Sequence, residues 1–291
     1  MSNLQRIIWL ASYPKSGNTW LRNLLAQYFM PDGKAPDINN LRQFTTGDTR
    51  RDFYEAAAGE PFVNKSVEEW LTIRPKALRM IAASRPNHHF VKTHCMAVNY
   101  MGQDLIPSEV TAAAIYVIRN PFDVVLSYAR HLSTDIDTTI GVMTNPDMIV
   151  GLPENGIYDA LGSWDNNVAS WTTAEGLSHY VVRYEDLLDK PAKTMRGLLG
   201  KFLKVQVDSR KLARAIKASS FEAMKAFEDK HGFFEKPKDM KSFFAKGQAG
   251  VWRDELTPEQ VERLRDAFKP TLEKWYPEVL AEAETFLKTA S

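Results

Sequence analysis

Short apolar runs separated by amphipathic stretches set the rhythm of this chain. Ile7-Ile8-Trp9-Leu10 is one such run; it breaks at Ser12-Tyr13-Pro14, after which Leu21, Leu24, Leu25, Tyr28 and Phe29 recur at helical spacing. That order predicts strand, loop, helix. Phe90-Val91 and Ala114-Ile115-Tyr116-Val117-Ile118 read as buried strands. The second leads into a helix with Asn120 as N-cap, Pro121 in the first turn, and Val124, Val125, Tyr128 and Leu132 as its apolar stripe. Tyr180-Val181-Val182 is a further strand, followed by a helix that places Met195, Leu198, Leu199, Phe202 and Leu203 on one side. Near the end of the chain, Thr257-Pro258-Glu259-Gln260 combines an N-cap, a first-turn proline and a capping-box Gln.

Apolar strands alternating with amphipathic helices predict an α/β fold: a single domain over residues 1–291 with a central parallel sheet flanked by helices. Two stretches depart from the rhythm. Residues 31–86 weaken into short helical pieces between Gly, Pro, Asn and Asp, which reads as a variable excursion from the core. Residues 133–162 carry many Thr, Asp, Asn, Gly and Pro without a sustained period, which reads as a long loop or lid. In a parallel sheet, ligands bind beyond the carboxyl ends of the strands, so chemistry is sought there.

Composition narrows the classes. With 44% hydrophobic and 25% charged residues, a chain of 291 residues can bury a sizeable core. Lys plus Arg is 37 against 36 Asp plus Glu, so a balance of +1 gives no bulk attraction to nucleic acid or an acidic membrane. Any anion must be held by a local constellation. The single cysteine, Cys95, forms no intrachain disulfide and anchors no multi-cysteine metal site, which suits a reducing, cytoplasmic setting. The first residues lack a signal-peptide pattern, and no apolar run reaches the roughly 18 residues of a membrane span.

The strand ends carry the candidate chemistry. Tyr13-Pro14-Lys15-Ser16-Gly17-Asn18-Thr19-Trp20 puts a glycine, small polar side chains and a lysine just before a helix N-terminus, where free N–H groups and the helix dipole favour an anion. It is no Walker A motif, because the lysine precedes the glycine; taken alone it reads more often as an ordinary turn than as an anion site. Lys92-Thr93-His94 offers a general base beside a cation, or else a plain surface pair. Arg119, with Ser127 two turns along the next helix, can meet one phosphate by a forked contact and a hydroxyl. Separately these read as a capping arginine and a solvated serine. His88 and His89 show no metal-ligand spacing.

Together these segments resemble the PAPS-dependent sulfotransferases of the soluble, cytosolic, bacterial-like type. Tyr13 to Trp20 is similar to the loop that holds the 5′-phosphosulfate, usually Y-P-K-S-G-T-T-W, and departs from it at Asn18. Ile115 to Ser127 resembles the 3′-phosphate segment, with Arg119 and Ser127 as its phosphate ligands. Lys92-Thr93-His94 is similar to the K-T-H segment that supplies the catalytic histidine, and Arg183-Tyr184-Glu185-Asp186-Leu187 to the segment whose tyrosine approaches the adenine. Ser219-Ser220-Phe221 resembles a further adenine-lining stretch. Phe243 to Trp252, with Phe244, Lys246 and Gly247, resembles the R-K-G-x-x-G-x-W element that closes over the 3′-phosphate.

The resemblance implies a P-loop-like nucleotide-binding architecture and transfer of a sulfonate group from PAPS to an acceptor hydroxyl, with PAP leaving. His94 takes the hydroxyl proton, Lys15 offsets charge on the leaving phosphate and Lys92 assists at the sulfonyl oxygens. Ser16, Gly17, Asn18 and Thr19 join Lys15 around the donor, while Trp20, Tyr184 and Phe221 wall the adenine. Because a sulfonyl group carries less charge than a γ-phosphate, no metal cofactor is expected. The expected partner is a small-molecule or natural-product acceptor, with no nucleic acid and no membrane. Ala245 stands where the family has arginine, which removes a phosphate contact, and Cys95-Met96 replaces Leu-Pro after the histidine. A nucleotide-dependent kinase and a non-catalytic PAP-binding protein remain the alternatives.

Overall fold

The computed structural model describes residues 6–31, 33–151, 153–236, 240, 242–244 and 247–290. Five strands form one sheet: β1 (Ile7–Ser12), β2 (Thr46–Gly47), β3 (His89–Thr93), β4 (Thr111–Ile118) and β5 (His179–Arg183). Their order is β2-β3-β1-β4-β5. β1 runs parallel to β3, pairing Ala11 with Thr93, and parallel to β4, pairing Ser12 with Val117. β2 is parallel to β3. The central place of β1 follows from its residues: Ile7, Trp9, Leu10 and Ala11 are buried, as a strand flanked on both edges and covered on both faces requires. The parallel register brings the carboxyl ends of β1, β3 and β4 to one edge, so the α/β class holds and the strand ends lie where ligands are sought.

Helices fill the connections, among them α1 (Asn18–Phe29), α2 (Arg51–Ala58), α3 (Val67–Ala83), α4 (Pro121–Leu132), α5 (Ile136–Thr144), α6 (Trp164–Thr172) and α7 (Tyr184–Asp189). The chain gathers into two compact units. The first comprises the residues up to Tyr13 with Arg42–Val117 and Pro146–Val181, and so holds most of the sheet; the second comprises Pro14–Leu41, Ile118–Asn145 and everything from Val182 onward.

Several local expectations meet the structure directly. Asn120 caps α4, its side-chain oxygen accepting from the Phe122 and Asp123 amides at 2.9 and 3.4 Å. Thr257 and Gln260 form a reciprocal capping box on helix Pro258–Trp275. Others are corrected. Residues 31–86 contain more than short pieces: α3 is long, because Ser66 and Glu69 form a capping box and Trp70, Leu71, Ala77, Leu78 and Ile81 bury one face. Residues 133–162 are not a bare loop, since Asp135 accepts from the Thr138 amide at 2.7 Å and starts α5. Ile149–Val150 then pairs antiparallel with Asp159–Ala160. The helix expected around Met195 to Leu203 is a short α-helix, Pro191–Arg196, continued by a π-helical turn, Gly197–Phe202. No helix among the described residues is long and apolar enough to cross a membrane.

Candidate functional site

The second unit contains the glycine turn. β1 hands over to α1 through Pro14-Lys15-Ser16-Gly17, and Gly17 at φ 102° is the residue before the helix. Glycine is required there twice over: the backbone is left-handed, and a Cβ would sit 2.6 Å from the Tyr184 ring. Lys15 is also left-handed at φ 65° although it carries a side chain, a conformation that costs about 1 kcal/mol and concentrates at functional sites. Its ammonium lies 3.6 Å from the Phe243 ring centroid.

A connected set of contacts surrounds this turn. Arg119 donates to the Lys15 and Gln248 carbonyls, both at 3.3 Å, and its guanidinium lies 4.3 Å from the Tyr184 ring. Tyr184 meets Trp20 edge-on at 5.5 Å, and the Trp20 indole N–H donates to the Ser219 carbonyl at 2.8 Å. Gly247, at φ 58°, has room for no Cβ, which would fall 2.3 Å from the Phe221 ring. Three polar atoms in this set, Ser16 Oγ, Arg119 Nε and Ser219 Oγ, are buried and have no protein hydrogen-bond partner among the described residues. Ser219 is fully buried and Ser16 nearly so. Buried polar atoms left this way cost about 1–3 kcal/mol each unless a partner is supplied.

Three carboxylates hold the surrounding backbone. Glu228 accepts from the Phe243 and Phe244 amides at 2.6 and 3.0 Å, and buried Asp123 accepts from the Gly250 and Trp252 amides at 2.6 and 3.2 Å. Glu185 accepts from the Asn120 amide at 3.1 Å and the Tyr276 hydroxyl at 2.8 Å; burial raises the pKa of its carboxyl against these bonds. Thr19 donates to Glu235, which also pairs with buried Arg22 at 2.7 Å.

The first unit contains the histidine. His94 follows the end of β3, and its Nδ1 lies 2.7 Å from the Ser12 carbonyl oxygen. A carbonyl only accepts, so Nδ1 carries the proton and Nε2 is the basic nitrogen of the ring. The His94 carbonyl accepts from Asn167 Nδ2 at 3.0 Å, and the Cys95 carbonyl from the Trp171 indole at 2.9 Å. Thr93 donates to Asp48 at 2.8 Å, and Asp48 pairs with Arg74 at 2.7 Å with both side chains buried. Cys95 Sγ lies 3.6 Å from Asp159, whose pKa burial raises to about 6. Asp48, Cys95 and Asp159 also crowd together as three metal-type donors, but Arg74 and Lys92 already supply positive charge to the same carboxylates.

The structure therefore joins Lys15, Ser16, Gly17, Trp20, Arg119, Tyr184, Ser219, Phe221 and Gly247 in one contact set. Phe244 is buried among Ile38, Met224 and Phe233, packed as core, and Asn18 and Thr19 open α1. Ser127 is half-buried on α4, and Lys92 is half-buried near the end of β3. Lys246, like Ala245, lies outside the described residues. Sequence reading missed Asp123, Glu228, Asp48 and Asn167. Nothing marks them locally, because each meets groups well removed along the chain.

Comparison with known proteins decides the family. The model of the sulfotransferase domain matches residues 5–276. The chain belongs to the sulfotransferase family. Among its relatives, cytosolic sulfotransferase 1 of Arabidopsis thaliana is 25% identical over 264 residues, covering 88% of this chain and 76% of that protein. Sulfotransferase 2A6 of Rattus norvegicus is 25% identical, covering 92% and 85%. The sulfotransferase fold is shared with solved structures: mouse sulfotransferase SULT7A1 complexed with PAP superposes with a TM-score of 0.60 at 19% identity, covering 98% of this chain and 90% of that one. Retinol dehydratase in a complex with retinol and PAP gives 0.63 at 20% identity, covering 94% and 82%.

Proposed function

We propose that the chain works as one sulfotransferase domain that moves a sulfonate group from PAPS to a hydroxyl of a small molecule or natural product and releases PAP. The observation that carries this reading is that Ser16 Oγ, Arg119 Nε and Ser219 Oγ, all on residues of the contact set around one glycine turn, are buried and have no protein partner among the described residues. Donors without acceptors suit an anion with many oxygens. The PAP held by both solved neighbours is such an anion, and the residues present fit it.

In this reading, Lys15 to Trp20 hold the 5′ end of the nucleotide, Arg119 and Ser127 the 3′-phosphate, and Trp20, Tyr184, Ser219 and Phe221 the adenine. Phe244, Lys246 and Gly247 complete the phosphate side. PAPS supplies an activated sulfonate with PAP as its leaving group. His94 takes the acceptor proton at Nε2, because Nδ1–H is committed to the Ser12 carbonyl. Lys15 and Lys92 offset negative charge that grows during transfer, a task that needs no metal. The solved neighbours that bind retinol and androsterone hold hydroxyl-bearing molecules, which supports an alcohol or phenol as acceptor. The even charge balance fits a small acceptor rather than a polyanion, and the relative named as cytosolic supports a cytoplasmic setting.

Calorimetric titration of the purified chain with PAP, adenosine 5′-phosphosulfate and ATP with Mg²⁺ tests the donor assignment without knowledge of the acceptor. PAP is expected to bind most tightly. Preference for ATP with Mg²⁺ would replace this reading with a phosphoryl-transfer one, and PAP binding without PAPS consumption across a hydroxyl panel would leave a binding protein.

A further inference from the structure

We infer that Thr93 and Asn167 are positioning residues for the His94 imidazole, acting as two buried clamps on the turn that follows β3. The inference rests on the reading of His94 as the base. The turn leaves the sheet at Thr93, so the His94 carbonyl and the Cys95 amide and carbonyl lie beyond its ladder and are held by side chains, before the Met96 amide returns to backbone by donating to the Ala160 carbonyl at 2.9 Å. Each clamp does this from a different element.

The first clamp comes from the residue after β2, the strand paired with β3. Thr93 is buried; its hydroxyl donates to Asp48 at 2.8 Å and accepts from the Cys95 amide at 3.1 Å, bridging across His94. Asp48 is itself fixed by Arg74 at 2.7 Å and by its own amide, which donates to the Lys92 carbonyl at 3.0 Å. One hydroxyl therefore sets the distance between the residues on either side of the histidine.

The second clamp comes from α6. Asn167 is fully buried; its amide nitrogen donates to the His94 carbonyl at 3.0 Å and the Leu161 carbonyl at 2.9 Å, while its oxygen accepts from the Tyr116 hydroxyl at 2.9 Å. Two donations and one acceptance from a short side chain are within reach of asparagine and not of aspartate, leucine or serine. Trp171, one turn along the same helix, takes the Cys95 carbonyl. With both carbonyls and the Cys95 amide tied, the turn cannot rotate, and the ring holds the 2.7 Å bond from Nδ1 to the Ser12 carbonyl that keeps Nε2 basic. A shift of about 1 Å in such a group can cost a factor of 100 in rate, so clamps of this kind act on turnover rather than on nucleotide affinity.

The test uses the full-length chain labelled with ¹⁵N, with the His94 imidazole signal assigned by its loss in His94→Ala. The wild type is expected to show the Nδ1–H tautomer. Thr93→Val, which removes only the hydroxyl, is expected to shift the ring toward mixed tautomers, to lower kcat with PAPS and p-nitrophenol about tenfold, and to leave the PAP Kd unchanged. Thr93→Ser restores the hydroxyl and is expected to recover both signals. Should Thr93→Val not fold, Tyr116→Phe releases one bond of Asn167 and is read in the same way. An Nε2–H tautomer in the wild type, an unchanged ring spectrum in the variant, or failure of Thr93→Ser to recover it would overturn the inference. Full turnover in His94→Ala would sink the base assignment alone, leaving the spectra to decide the clamps.

Discussion

The glycine turn of the second unit and the histidine turn of the first are opposite solutions to the same problem, a chain leaving a strand. Around Gly17 the fold leaves Ser16 Oγ, Arg119 Nε and Ser219 Oγ buried without partners among the described residues, a cost of several kcal/mol that a bound anion would offset. Around His94 the fold does the reverse, tying the Cys95 amide and the His94 and Cys95 carbonyls to Thr93, Asn167 and Trp171. The first arrangement suits a site completed by its ligand. The second suits a group whose position must be set before any ligand arrives.

Three changes would break or sharpen this contrast. His94→Ala should lower sulfonate transfer by about 100-fold or more while PAP affinity stays near wild type; a parallel loss of both would mean that the two turns do not divide the work. Arg119→Ala should weaken PAP by roughly 10- to 100-fold, the worth of charge-assisted bonds, and weaken a nucleotide lacking the 3′-phosphate much less. Titration calorimetry with the two nucleotides measures the difference, and equal losses would remove Arg119 from the 3′-phosphate. The smallest effect concerns Asp159, whose folded pKa of about 6 lies above the ordinary carboxyl value of 3.8. The folded state then holds the proton more tightly, so stability is full below about pH 4 and falls as pH rises through 6. Asp159→Asn should therefore melt later than wild type at pH 7.5, by an amount on the order of 1–2 kcal/mol, with the gap closing toward pH 4. A constant gap across that range would show that the charge of Asp159 is not what costs stability.

The parts of this molecule legible in its sequence are those whose signals are local. Strand ends, the Asn120 and Thr257 caps and the glycine turn are each encoded within a few residues, and all appear where expected. α5 escaped because its threonines hide the spacing of Ile136, Ile140 and Met143; the structure shows Asp135 as its cap. α3 reads in the sequence as part of a run of short pieces, whereas the helix carries Pro75 in its interior. The second support of each turn was out of reach for a different reason. Asp48 meets Thr93 across 45 residues, Asn167 meets His94 across 73, and Asp123 meets Gly250 across 127, and no local pattern joins them.

The Asp123 carboxylate also says something about the order in which the molecule can be made. Its two amide partners, Gly250 and Trp252, are synthesised long after α4. At roughly 5–20 residues per second, the growing chain keeps this buried acid waiting for about 6–25 s. The histidine turn, by contrast, takes its clamps from residues no later than Trp171. Every clamp on the histidine turn has thus been synthesised well before Asp123 gains the amides it accepts from.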